Sequence, residues 1–157
     1  MKRLFLIFAM SLALLSGCGV GVDGHFPVSG NVNLGGTPVP KGRVAFQPTS
    51  ESGGSSASGD IVDGKYSIPA EKGLTPGEYN VIFTIEEPTG KMIEYTDHSG
   101  EVYSYEETAS YVPLDWGARS TQKVTIEPTR NKFDFDVPRS EEPVEAPGIS
   151  GNPSGDK

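Results

Sequence analysis

The sequence predicts an all-β protein, a sandwich of seven strands. Three observations point there. Gly (20 residues) and Pro (13) are frequent, and hydrophobic residues make up 35% of the chain, a composition of short strands joined by turns. Apolar residues recur at every second position in several short stretches, the period of a half-buried strand. No stretch carries the 3.6-residue periodicity of an amphipathic helix of useful length.

The strands follow in order. Val28, Gly30, Val32 and Leu34 share one face of the first, with Ser29, Asn31 and Asn33 on the other. Gly35-Gly36 supplies a tight turn. Val44 and Phe46 mark the second strand, and residues 49–59, "TSESGGSSASG", read as a loop. Ile61 and Val62 lead into Asp63-Gly64, and Lys65 to Ile68 lead out. Asp-Gly between two such runs signals a two-residue hairpin turn, because both central positions need positive φ. Ile61 and Tyr66 then fall opposite each other on one face. After a turn at Pro76-Gly77, Tyr79, Val81, Phe83 and Ile85 alternate along the fifth strand. Val124 and Ile126 lie on the sixth. Phe133, Phe135 and Val137 lie on the seventh, whose outer face carries Lys132, Asp134 and Asp136. Between the fifth and sixth strands, residues 86–120 form an inserted hairpin or long loop, far longer than common connections. Within it, Asp97-His98-Ser99-Gly100 is the expected hairpin turn.

The ends of the chain have a different character. Met1, Lys2 and Arg3 precede residues 4–15, "LFLIFAMSLALL", an apolar run broken only by Ser11. A transmembrane helix needs about 20 apolar residues, so residues 1–17 read as a secretory signal peptide. Leu15-Ser16-Gly17-Cys18 is similar to the lipobox of bacterial lipoproteins, in which the cysteine is lipidated and becomes the new N-terminus. Cys18 is the single cysteine. A thioether-linked diacylglycerol, with palmitate as the labelled acyl group, supplies two chains, enough for stable anchoring. The expected address is therefore the cell envelope, with the chain held to a membrane and facing the periplasm or exterior. Gly19, where Asp would favour the inner membrane, favours the outer one. Residues 18–27 form a tether and residues 28–137 the folded domain. Residues 138–157, acidic and rich in Pro, Gly and Ser with little to bury, are expected to be disordered.

Lys2 and Arg3 fall in the leader, so the mature chain is more acidic than the net −8 of the whole sequence. Binding to nucleic acid or anionic lipid surfaces by charge is not expected. With its one thiol committed to lipid, the domain holds no disulfide and rests on its core.

"VSGNVNLGGTPVPKGRVAFQP" resembles the opening of transthyretin-like and carboxypeptidase-regulatory-like domains. "ASGDIVDGKYSIPAEKGLTPGEYNVIF" looks like their next part, ending in a pattern carried here by Leu74, Pro76, Gly77, Tyr79 and Val81. "YVPLDWGARSTQKVTIEPTRNKFDFDV" is similar to the closing strands of small planctomycete-type lipoproteins with this domain. The resemblance implies a transthyretin-like (Ig-like) sandwich on a lipid anchor. It implies no activity, since no catalytic or ligand residue of those families has a counterpart here.

The insertion is where chemistry is sought. It holds Tyr95, Tyr103, Tyr105 and Trp116 beside several acids. Aromatic rings next to carboxylates suit sugar faces and cationic or peptide ligands; on an edge hairpin the same acids would simply keep it soluble. Trp116 is read two ways, as a ligand residue and, from the resemblance, as a cap on the core. Glu94, Asp97, His98 and Glu101 are the candidate calcium ligands, although the Asp-x-Asp spacing of a calcium loop is missing. Catalysis is not expected. The two histidines are His25 and His98, no Gly-x-Ser-x-Gly occurs, and the thiol is lipidated, so a nucleophile-plus-base scheme lacks its parts. The reading is thus a non-catalytic envelope lipoprotein, a structural or interaction module without a cofactor beyond its lipid. The alternative is a carbohydrate- or calcium-binding module that uses residues 86–120. An envelope protein or polysaccharide is the expected partner.

Overall fold

A computed structural model describes residues 21–49 and 53–145. The signal peptide, Cys18 and residues 146–157 lie outside the described residues. Within them the chain is all-β, with eleven strands, no α-helix and one short 3₁₀ turn at Ala70–Lys72. The strands are β1 (Val28–Leu34), β2 (Thr37–Pro38), β3 (Lys41–Pro48), β4 (Ala57–Val62), β5 (Lys65–Ile68), β6 (Gly77–Thr84), β7 (Glu87–Thr96), β8 (Val102–Ala109), β9 (Lys123–Ile126), β10 (Asn131–Lys132) and β11 (Phe135–Val137).

Nine of them form one curled sheet in the order β10-β1-β5-β4-β3-β6-β9, with β2 and β11 also paired to β1. The turn chemistry is as expected. Asp63 and Gly64 both have positive φ, 49° and 73°, and Val62 pairs with Lys65 across them. Ile61 and Tyr66 are both buried. Gly35 and Gly36 turn β1 into β2 in the same way.

The sheet curls until its ends face each other. Phe83 of β6 meets Phe135 of β11 edge-on, with ring centres 5.1 Å apart, although three other strands separate β6 from β1, the strand that carries β11. One core results, with Val28, Val32, Val44, Phe46, Ile61, Tyr79, Val81 and Ile126 almost fully buried. The alternation along β6 fills it from one side: Tyr79, Val81 and Phe83 point in. The Tyr79 hydroxyl, buried with its ring, hydrogen-bonds Thr75 Oγ1 at 3.0 Å, so its polar end is satisfied.

The last expected strand is broken in two. β10 and β11 both run parallel to β1, and Phe133 and Asp134 interrupt them. The cause lies at Gly30. The Phe133 carbonyl crosses directly over it, and a Cβ there would collide with that oxygen. The carbonyl instead accepts from the Tyr66 hydroxyl at 3.0 Å. The Asn31 N–H, which the break deprives of a ladder partner, donates to Asp134 Oδ1 at 2.8 Å, as does Asn31 Nδ2. A side chain thus replaces one rung of the ladder. These bonds, with Lys132 alongside, hold the Asp134 carboxyl below the usual carboxylate range.

The fold also runs past Val137. Arg139 ion-pairs with Glu87 at 2.5 Å. The Ser140 N–H donates to the Tyr111 carbonyl, and the Val144 N–H to that of Ser110. The segment from Pro138, expected to be disordered throughout, is therefore bonded to the domain as far as Val144. The basic residue at 139 and the apolar one at 144 are what its acidic composition concealed.

Candidate functional site

The insertion divides into two parts with different environments. Residues 110–122 belong to the body. Val112 is buried, the Phe83 N–H donates to the Trp116 carbonyl at 3.0 Å, and the Val81 N–H donates to that of Gln122 at 2.8 Å. This irregular segment therefore lies along β6, ahead of β9. The Trp116 ring packs against the core at 5.9 Å from the Phe83 ring. Of the two readings of Trp116, the core cap is the one its surroundings match.

The other part is a hairpin of β7 and β8 that forms its own two-stranded sheet. Its register pairs Ile93 with Tyr105 and Tyr95 with Tyr103. Side chains directly opposite share a face, so these four form one surface. The tyrosines remain open to solvent: Tyr95 is 54%, Tyr103 50% and Tyr105 56% exposed. The reverse face pairs Met92 with Glu106, Glu94 with Ser104 and Thr96 with Val102. Met92 and Val102 there are also exposed, so neither face of the hairpin is covered by the body.

The hairpin's polar groups hold its shape. At the tip, Asp97 Oδ1 accepts from Ser99 N (2.8 Å), Ser99 Oγ (2.6 Å) and Glu101 N (3.0 Å). Those bonds lower the Asp97 carboxyl pKa, the Ser99 side chain contributing most. The Tyr103 hydroxyl donates to Glu101 Oε2 at 2.9 Å, and this bond to a carboxylate raises the tyrosine pKa. Nearer the base, β7 is irregular between Pro88 and Met92. Glu106 Oε1 accepts from Gly90 N across that irregularity, and Lys91 pairs with Glu107 at 3.3 Å.

The candidate calcium ligands are not assembled. Among the described residues, no three His, Cys, Asp or Glu side chains are placed to share an ion. Asp97 is committed to its own loop, and Glu101 to Tyr103. Glu94 sits on the reverse face of β7, and His98 in the tip.

A groove of about 630 Å³ separates the hairpin base from β3, lined by Lys41, Arg43, Asp60, Glu86, Glu87 and Thr108 among others. Four of its charges are engaged in structure. Arg43 pairs with Asp60 at 2.9 Å, Glu87 with Arg139, and Glu86 Oε2 accepts from Thr108 Oγ1 at 3.1 Å.

Sequence reasoning singled out the three tyrosines but not their alignment. A turn at Asp97 to Gly100 would set Tyr95 opposite Val102; the loop instead closes where the Asp97 N–H donates to the Glu101 carbonyl, one residue later, and that shift puts Tyr95 opposite Tyr103. No family model, curated protein or solved structure matches this chain.

Proposed function

We propose that this chain is a lipid-anchored, non-catalytic module of the bacterial cell envelope, in which a transthyretin-like sandwich displays the β7–β8 hairpin to other envelope components. The anchor half rests on Leu15-Ser16-Gly17-Cys18 behind a basic start and a short apolar run. The sandwich reading is supported by Phe83 and Phe135, which meet across a single core from distant strands, and by the burial of Leu74, Tyr79 and Val81, the residues that carry the family resemblance.

The observation that carries the display half is the tyrosine face. Burying a tyrosine ring is favourable, and stable domains seldom leave several together in water. Three here share one face of an element that contributes nothing to the core. A recognition surface accounts for that placement. A second reading, a carbohydrate-binding module facing the envelope polysaccharide, draws on the same rings, which suit sugar faces.

Palmitate labelling in a lipoprotein-processing bacterium tests the anchor. The wild type is expected to incorporate label and partition into detergent, and Cys18→Ser to do neither. Labelling of the serine variant would overturn the reading.

A further inference from the structure

The hairpin has open edges as well as an open face. No third strand pairs with β7 or β8 among the described residues. The two edges differ. β7 is guarded by Pro88 and by the irregularity before Met92, devices that discourage strand addition. β8, "VYSYEETA", has neither proline nor glycine. It is largely exposed and rich in residues that favour strands, and Tyr103 and Tyr105 stand on one face of it.

Charge decides what could add there. Glu94, Asp97, Glu101, Glu106 and Glu107 face only one base of the hairpin, Lys91. A second copy would bring the same excess of acid and be repelled. A neutral sugar would cover the rings but leave the backbone edge and the carboxylates without partners. An extended peptide with basic side chains answers all three features. Its backbone pairs with β8, its cationic heads lie over the tyrosine rings, and its charge offsets the acids.

We propose that the open edge of β8, with the tyrosine face beside it, takes an extended basic segment of a partner protein. The inference rests on the display reading above and names the class of partner. The full chain would be titrated calorimetrically with three probes: an alternating Lys–Val decapeptide, its Glu–Val counterpart, and a β-1,4-linked N-acetylglucosamine hexamer. The Lys–Val peptide should bind saturably, one per chain, and more weakly as salt rises. Tyr103→Ala/Tyr105→Ala should weaken it about tenfold, the scale of losing two exposed cation–π contacts and their buried area. Glu101→Lys, a change at an exposed site beside Tyr103, should also weaken it and serves if the double variant folds poorly. The Glu–Val peptide and the sugar should not bind. Absence of saturable Lys–Val binding, or binding untouched by both variants, would overturn the inference. Tyrosine-dependent binding of the hexamer alone would overturn it too, while leaving the display reading in place.

Discussion

The Arg139 guanidinium stacks over the Tyr111 ring, 4.2 Å from its centre, while one of its nitrogens reaches Glu87 at the start of the hairpin. One side chain thus joins three segments: the end of the domain, the segment along β6, and the root of β7. Both contacts are partly exposed, so each is worth roughly 0.5–1 kcal/mol. Arg139→Ala should lower the thermal midpoint by a few degrees, on the order of 4 °C per kcal/mol for a domain this size. Arg139→Lys should recover only part, because a lysine stacks and pairs less well. Truncation after Pro138 should cost more than Arg139→Ala, since it also removes the bonds to Ser110 and Tyr111. Calorimetric scans of the three variants measure this, and an unchanged midpoint in all of them would free the segment from the fold.

The core and the hairpin should respond oppositely to loss of an aromatic ring. Phe83 is 2% exposed and contacts both Phe135 and Trp116. Phe83→Ala should cost about 3–5 kcal/mol, as for a buried phenylalanine elsewhere. Trp116→Ala, half-buried over the same ring, should cost about 2 kcal/mol. Tyr105→Ala should stay within about 0.5 kcal/mol. Denaturant unfolding of the three variants orders them, and a loss at Tyr105 comparable with that at Phe83 would make the hairpin face a packing surface.

Gly30 gives a sharper test of the break between β10 and β11. Its position within the first strand's buried face invites replacement by a small residue. The Phe133 carbonyl forbids it, and Gly30→Ala should cost about 2–3 kcal/mol through forced backbone movement. Tyr66→Phe, which leaves that carbonyl without its hydroxyl donor, should cost about 1 kcal/mol. A neutral Gly30→Ala in equilibrium unfolding would mean that the crossing is looser than described.

Stability should fall at both extremes of pH. The carboxyls of Asp134 and Asp97 are lowered in the folded state, so they stabilise above the unfolded value of about 3.9. That contribution is lost as pH falls through their folded values. Tyr66 is raised by burial and by Asp134. Its contribution is full below about pH 10 and lost as pH climbs toward the folded value. Asp134→Asn should therefore flatten the acid limb, and Tyr66→Phe the alkaline one, in midpoints measured across pH. Limbs unchanged in both variants would remove these groups from the account.

Much of this fold is legible in the chain. Asp63-Gly64, the alternation from Tyr79 to Ile85 and the pairing of Val62 with Lys65 depend on local rules, turn chemistry and a period of two. Asp97 to Gly100 likewise announces the hairpin tip. What escapes local reading depends on contacts distant in sequence. The break at Phe133 exists because Gly30, about a hundred positions earlier, lets a carbonyl pass. Arg139 looks like part of a polar tail until Glu87 and Tyr111 are placed beside it. Glu94 and Asp97 are close in sequence, but strand alternation and the loop's own hydrogen bonds give them different surroundings.

If the hairpin is displayed for recognition, the body folds without it. Replacing residues 88–108 by a short Gly-Ser turn between Glu87 and Ala109 tests it directly, with the thermal midpoint as the readout. The midpoint should stay within about 3 °C of the wild type, since the excised strands bury little against the core. A fall of more than about 10 °C, or loss of the cooperative transition, would show that β7 and β8 hold the fold together and would contradict the claim.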